Sequence, residues 1–214
     1  MTTTTIMGTH LKTTVCVVDD DPGIRKSLEM VLESADLPAR LYASAELLLE
    51  DLRGELRECC GCILLDLQMP RTTGIELLRR LREMGYDSPV IVISGTATVL
   101  SAVESMKLGA IDFLEKPIDH RTVLNKVQQA LAAYAAKRAE ASEVQAVRQR
   151  MANLTDRERE LVRLIVRGLA NKQIAGEMGI SIKTVANHRA NLMAKTGALN
   201  AADLVRMSMI AELA

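Results

Sequence analysis

The chain has no tryptophan, one phenylalanine and three tyrosines among 214 residues. Stacking of bases on aromatic side chains therefore has little to work with, and any core must be built from Leu, Ile, Val, Ala and Met. No apolar run approaches the roughly twenty residues that cross a bilayer, so no membrane partner is expected. The opening Met1-Thr2-Thr3-Thr4-Thr5-Ile6-Met7-Gly8 lacks the basic region and apolar stretch of a secretory signal. The reading is a cytoplasmic chain with a frayed N-terminus. Cysteine is sparse: Cys16, Cys59, Cys60 and Cys62. No second Cys or His pair follows at zinc-site spacing, so these read as small buried hydrophobes and loop thiols. Neither sign of charge is in excess, with 27 basic and 27 acidic residues. The distribution is uneven, however. From Met151 onward there are 9 basic and 6 acidic residues, so the front is acidic and the back basic. That polarity suits a cation site followed by a nucleic-acid contact.

What is present is a set of short apolar runs ending in chemistry. Ile63-Leu64-Leu65 ends in Asp66, with Pro70 close behind. Val15-Cys16-Val17-Val18 ends in Asp19-Asp20-Asp21. Val90-Ile91-Val92-Ile93 ends in Ser94-Gly95, and Asp112-Phe113-Leu114-Glu115 leads into Lys116-Pro117. Buried strands of an open α/β sheet deliver functional groups at their carboxyl ends. Strands are expected at Thr14–Val18, Ala39–Tyr42, residues 62–65, Val90–Ser94 and residues 111–114. Helices are expected from Pro22 to about 35, after Ser44, over 74–84, over 98–108 and from Asp119. Five such units imply a parallel sheet covered on both faces, and right-handed crossovers bring the strand ends to one edge.

Asp19, Asp20 and Asp66 would then sit together, and such repulsion is tolerable when a divalent cation lies among them. Mg²⁺ (or Mn²⁺) suits an all-oxygen site, with the backbone carbonyl of Gln68 as a further ligand. Asp66 is a carboxylate able to form an acyl phosphate. Lys116 offers an ammonium and Ser94 a hydroxyl to phosphate oxygens. The Lys116-Pro117 bond is a candidate for the cis form. Taken singly, the acids at 19–21 read as a capped helix start, Lys116 as a solvated charge and Phe113 as core. A phosphatase using Asp66 would need a strong acid nearby and a cap. Gln68, two residues on, is no acid, and no cap-sized insertion occurs, so turnover catalysis is not expected.

From Lys126 to about 152 there is no Pro or Gly. Val127, Leu131 and Tyr134 follow one helical phase. Val144, Val147, Met151 and Leu154 follow another. A helical linker is expected, either a short coiled coil with a phase break or a solvated Ala-rich helix.

Beyond Leu154 the pattern is all-helical. Thr155 and Glu158 form a capping box, and helices are expected to about Gly168, over 171–178, from Ile182 to about 195 and over 200–213. Lys172 to Val185 reads as helix-turn-helix, with Ala175 small at the crossing and Gly179 in the turn. Ile174, Ile180 and Val185 would pack the two helices together. The second helix would expose Lys183, Thr184, Ala186, Asn187, Arg189, Ala190 and Asn191. Asn can read adenine, Ala can touch a thymine methyl, and Arg or Lys can hold phosphates. A helical dimerisation domain is the rival reading. His188 reads as a packing or phosphate-contact residue rather than a metal ligand.

The motifs around Asp19-Asp20-Asp21, Leu65-Asp66-Leu67-Gln68-Met69-Pro70, Ser94-Gly95 and Phe113-Leu114-Glu115-Lys116-Pro117 resemble the receiver domain of bacterial response regulators. The resemblance implies a flavodoxin-like fold with strand order 2-1-3-4-5. It implies Asp66 as the acceptor of a phosphoryl group from a histidine kinase, Asp19 and Asp20 in the metal site, Ser94 as switch hydroxyl, Lys116 as phosphate lysine and Phe113 as switch aromatic. Leu154 to Glu160, Gly168 to Ala175 and Ser181 to Arg189 resemble the LuxR-type DNA-binding domain. The whole chain is similar to the NarL/FixJ group, nearest its FixJ branch. Expected are a receiver over 13–135, a helical linker over 136–152 and a four-helix DNA-binding domain over 153–214. Lys172 and Lys195 join Lys183, Thr184, Ala186, Asn187, Arg189 and Ala190 as expected DNA contacts. Double-stranded DNA, a cognate histidine kinase and a second copy on phosphorylation are the expected partners, with RNA polymerase a candidate.

Overall fold

A computed structural model describes residues 13–212, apart from Glu55, Ala97 and the side chain of Glu58. The expected frayed N-terminus, and the last residue of the helix expected over 200–213, lie outside the described residues. The chain divides into two compact units, Met1–Ala136 and Lys137–Ala214.

The first unit alternates strand and helix: β1 (Thr14–Val18), α1 (Pro22–Glu33), β2 (Ala39–Tyr42), α2 (Ala45–Asp51), α3 (Leu56–Cys59), β3 (Cys60–Asp66), α4 (Gly74–Glu83), β4 (Val90–Ser94), α5 (Val99–Lys107) and β5 (Asp112–Glu115), before α6 (His120–Ala152) begins. All strand pairs are parallel and the order is β2-β1-β3-β4-β5, as expected. Every residue of β1, β3 and β4 is buried, which explains their unbroken apolar runs. Alternate side chains enter two separate cores. Cys16, Val18, Ile63, Leu65 and Val92 meet Leu48 of α2 and Leu77, Leu78 and Leu81 of α4. Val15, Val17, Leu64, Ile91 and Ile93 meet Leu28 and Leu32 of α1 and Val123 and Val127 of α6.

Local chemistry starts the helices where the sequence indicates. Ser44, Thr73 and Thr98 accept backbone N–H bonds at the N-caps of α2, α4 and α5. Some details differ from expectation. Helix α3 was not foreseen. Strand β3 starts at Cys60 rather than 62, because Thr14 pairs with Cys60 across an irregularity in the register. Strand β5 runs one residue later than expected, since its pairing with β4 extends to Ser94 and Glu115. Cys60 is therefore a buried strand residue rather than a loop thiol, with its sulfur 2.9 Å from that of Cys16.

In the second unit the end of α6 joins α7 (Asp156–Val166), α8 (Asn171–Met178), α9 (Ile182–Thr196) and α10 (Ala201–Ile210). The capping box forms as expected: Thr155 accepts from Glu158 N, and the Glu158 carboxylate accepts from Thr155 N at 2.7 Å. Gly179 takes φ 67° at the end of α8, a left-handed turn that favours glycine. The core gathers Leu161, Ile165, Ile174, Val185, Leu192, Leu204 and Met207 around Val147 and Met151.

Those last two residues settle the phase break. Val123, Val127 and Ala130 of α6 are buried in the first unit, whereas Val147 and Met151 are buried in the second. The later stripe is core rather than a coiled-coil seam. Only the middle of α6, residues 135–143, is exposed throughout.

Candidate functional site

Parallel pairing places the ends of β1, β3, β4 and β5 along one edge. Val18 lies opposite Leu65, Asp66 opposite Ile93, and Ser94 opposite Glu115. Asp19 follows β1 directly, Asp66 ends β3, Ser94 ends β4, and Lys116 follows β5. The loop after β3 then folds back, with Gly74 N donating to Leu67 O at 3.0 Å. A Cβ on Gly74 would stand only 2.7 Å from Leu67 Cα, so the close approach requires glycine here.

Asp19 and Asp66 are 3 % and 4 % exposed, while Asp20 is exposed. One carboxylate oxygen from each of the three lies within 4.8 Å of the others. The Lys116 ammonium donates to Asp19 Oδ2 at 2.8 Å and stands 3.2 Å from Asp66 Oδ1. The second approach is an ion pair without hydrogen-bond geometry, so buried Asp66 Oδ1 has no hydrogen-bond partner. Burial pushes the Asp66 carboxyl above its usual range, Lys116 opposes this, and Asp19 and Asp20 reinforce it. For Lys116, burial works against the charge, but Asp19 and Asp66 outweigh it and hold the pKa above the usual lysine value. Lys116 is therefore a firm cation, and it leaves net negative charge among three acids. The Lys116-Pro117 bond is cis.

Ser94 is fully buried, and its hydroxyl accepts from Thr96 N at 3.3 Å. Phe113 is half-buried against the core shared with α2 and α4. Gln68 lies two residues past Asp66 with its side chain exposed. Asp21, which had no role beyond that of a possible cap, is the N-cap of α1 and accepts from Gly23 N and Ile24 N at 2.7 and 3.2 Å. Sequence reasoning missed Arg25, whose Nη1 donates to the carbonyls of both Asp19 and Asp20.

An all-oxygen set with an orphaned buried carboxylate oxygen fits a hard divalent cation, and the pocket can bind one. Among the described residues no other group of three or more His, Cys, Asp or Glu is disposed to hold a metal.

In the second unit, Ile174, Ala175 and Val185 are buried and Ile180 is half-buried between α8 and α9. Lys183, Ala186, Asn187, Ala190 and Asn191 are exposed at three-four spacing, forming one face of α9; Lys172 is exposed on α8. Thr184 and Arg189 are half-buried. The Thr184 hydroxyl is 2.7 Å from that of Ser181, inside the cap of α9. Lys195 is exposed but donates to Glu158 Oε2 at 2.7 Å, so it also ties α9 to the start of α7. His188 is exposed and borders a cavity lined by Leu161, Met178 and Ile180.

Residues 15–128 match the response regulator receiver domain, and residues 152–208 match the luxR family of bacterial regulatory proteins. The transcriptional regulatory protein FixJ of Azorhizobium caulinodans is 42 % identical over 94 % of this chain and 93 % of its own. The chain belongs to the FixJ-like response regulators. Solved relatives span both units. The response regulator StyR is 37 % identical with a TM-score of 0.81, covering 92 % of this chain and 98 % of that one. Full-length FixJ from B. japonicum is 36 % identical with a TM-score of 0.59, covering 95 % and 98 %. As a member of this family, the response regulator joins a receiver domain to a LuxR-type DNA-binding domain, and phosphorylation controls its action on transcription. Among its described residues, no helix is long and apolar enough to cross a membrane.

Proposed function

We propose that Asp66 is the phosphoacceptor and that phosphorylation drives dimerisation and DNA binding. The receiver is taken as residues 13–135, the linker as 136–152 and the DNA-binding domain as 153–214. The supporting observation is Asp66 Oδ1: buried, without a hydrogen-bond partner, and 3.2 Å from the Lys116 ammonium. This oxygen attacks the phosphorus of a phosphohistidine on a cognate sensor kinase. The new bond is P–O, the P–N bond breaks, and the imidazole keeps the electron pair and takes up a proton. Asp19, Asp20, Asp66 and the Gln68 carbonyl would hold Mg²⁺ (or Mn²⁺), which offsets charge on the phosphoryl oxygens. Lys116 already stands beside the nucleophile and contacts the transferred group. Ser94 reorients from Thr96 N to donate its hydroxyl to a phosphate oxygen. Phe113, half-buried on the neighbouring strand, follows into the space released.

The consequence falls on α5, which directly follows the Ser94 loop. Val99, Leu100, Val103 and Met106 are exposed on it. Two phosphorylated copies pair through this face, and the pair presents two α9 helices to successive major grooves. The exposed face of α9 from Lys183 to Asn191 reads bases and holds phosphates, with Lys172 adding a phosphate contact. The receiver acts stoichiometrically rather than by turnover, and RNA polymerase is the downstream partner.

The test is solution mass and duplex binding, in Mg²⁺, before and after a small acyl-phosphate donor. Wild type should acquire one phosphoryl group, become a dimer and bind DNA more tightly. Asp66→Asn should do none of these; an Asn variant that still dimerises on donor treatment would refute the assignment.

A further inference from the structure

We propose that Arg25 is the positioning residue that sets Asp19 and Asp20 in cation-binding geometry. This rests on the reading that the acidic pocket holds a divalent cation. Arg25 touches neither Asp66 nor any carboxylate of the pocket by hydrogen bond. A single nitrogen, Nη1, donates to Asp19 O at 2.7 Å and to Asp20 O at 2.8 Å. In an extended strand, successive residues face opposite ways. Two consecutive carbonyls converging on one nitrogen therefore fix a turn at the point where β1 ends. The carboxylates on that turn gather with Asp66 within 4.8 Å.

The two acids depend on this clamp differently. The Asp19 side chain has its own anchors: Oδ1 accepts from Asp21 N at 2.9 Å, and Oδ2 accepts from Lys116. The Asp20 side chain is exposed, so its aim is set through the backbone that Arg25 grips. Without the clamp, Asp20 has solvent on one side and two like charges on the other, and repulsion turns it outward.

Placement of the arginine supports a functional reading. Arg25 is the fourth residue of α1, in the helix's first turn, where the macrodipole disfavours cations. The Asp21 carboxylate caps that turn, and no acidic residue lies within the turn itself. A local preference broken at a site edge, and compensated by two charge-assisted hydrogen bonds to the metal-site backbone, marks a residue kept for the site.

The proposal has a sign that separates it from simple electrostatics. As a bare positive charge, Arg25 repels a cation, so removing it would tighten binding. As a clamp it orders the ligands, so removing it weakens binding. The full-length chain, wild type, Arg25→Gln and Arg25→Lys, is titrated with Mn²⁺ by calorimetry and by electron paramagnetic resonance at fixed ionic strength. Circular dichroism confirms the fold of each. Losing an outer hydrogen-bond partner of a metal ligand set typically costs tenfold or more in affinity. Arg25→Gln should raise the Mn²⁺ dissociation constant about tenfold. Arg25→Lys, which keeps the charge on a shorter ligand-clamping arm, should also bind more weakly than wild type. Unchanged or tighter binding in Arg25→Gln overturns the proposal. If Arg25→Gln fails to fold, Arg25→Lys decides, and affinity equal to wild type overturns it. A wild type that binds no Mn²⁺ defeats the cation reading itself, and the clamp with it.

Discussion

Gly74→Ala should damage phosphorylation from a position that touches neither phosphate nor cation. The added Cβ would lie 2.7 Å from Leu67 Cα and 3.0 Å from Asp66 C, and nearer still to the Asp66 carbonyl oxygen. All three atoms are backbone, so no side chain can swing aside. Ordinary carbon contacts need about 3.5 Å, so the start of α4 and the end of β3 must part by roughly 1 Å. Overpacking of this kind costs about 1–3 kcal/mol, and the helix preference of Ala over Gly returns at most about 1 kcal/mol. A net loss of about 1–2 kcal/mol is expected in urea unfolding. The functional effect is larger in proportion, because the displaced strand end carries Asp66. A 1 Å misplacement of a reacting group can cost about 10²-fold in rate. The assay is the rate of acyl-phosphate formation with a small donor at saturating Mg²⁺, normalised to folded protein. Gly176→Ala is the control: it lies inside α8 with nothing within 4 Å of the new Cβ, and should be neutral or stabilising by up to about 1 kcal/mol. A Gly74→Ala chain as stable and as readily phosphorylated as wild type would show that the close approach does not set the site.

Asp66→Asn should stabilise the unphosphorylated chain at neutral pH by about 1–2 kcal/mol, the scale of an unsatisfied buried polar group. The sign comes from the raised Asp66 pKa: the folded state holds the proton more tightly than the unfolded one, so Asp66 lowers stability as pH rises through its folded pKa. The advantage of the Asn variant should therefore shrink towards zero below about pH 4, where Asp is protonated in both states; a difference constant from pH 3 to 7 would contradict the burial argument. Thr155→Ala removes half of the capping box at α7 and should cost about 1 kcal/mol in urea unfolding. An unchanged midpoint would show that the Glu158–Lys195 pair alone holds that helix start. Arg189→Ala should weaken duplex binding across all sequences and reduce the salt slope by about 1; an unchanged slope would remove Arg189 from the phosphate contacts.

Much of the receiver was legible because buried parallel strands write themselves as unbroken apolar runs. Val15 to Val18, Ile63 to Leu65 and Val90 to Ile93 could be little else, and each ends at a polar residue of the candidate site. Caps were equally readable at Ser44 and Thr155, since a short polar side chain before a periodic stretch has a specific bond to make. Helix α3 escaped because a four-residue helix has no period to detect. The two stripes of α6 were visible as a phase change, but a hydrophobic stripe does not name the core it enters. Val147 and Met151 needed the partner helices of the second unit in place before their burial could be assigned. Arg25 was missed for a related reason: its partners are main-chain carbonyls, which leave no trace in residue identity. Its only signal was a cation in the first turn of a helix.

Three departures from folding logic in the first unit lie just beyond the carboxyl ends of the strands. A buried carboxylate oxygen lacks a hydrogen bond at Asp66. A guanidinium sits at the wrong end of α1 for the helix dipole. Helix α5 leaves Val99 and Leu100 more than 80 % exposed while burying only Ser105. Elsewhere in the unit β1, β3 and β4 are wholly buried, their side chains alternating between two cores, although the buried Tyr86 hydroxyl also lacks a hydrogen-bond partner. Under the proposed function a cation relieves the acids, a phosphoryl group occupies the orphaned oxygen, and a second copy covers α5. Under the proposed mechanism these three events are coupled, because Ser94 and Phe113 connect the phosphorylated edge to α5. The unphosphorylated state is then held slightly unstable at one edge, and that stored cost is what lets a single phosphoryl group shift the balance between states.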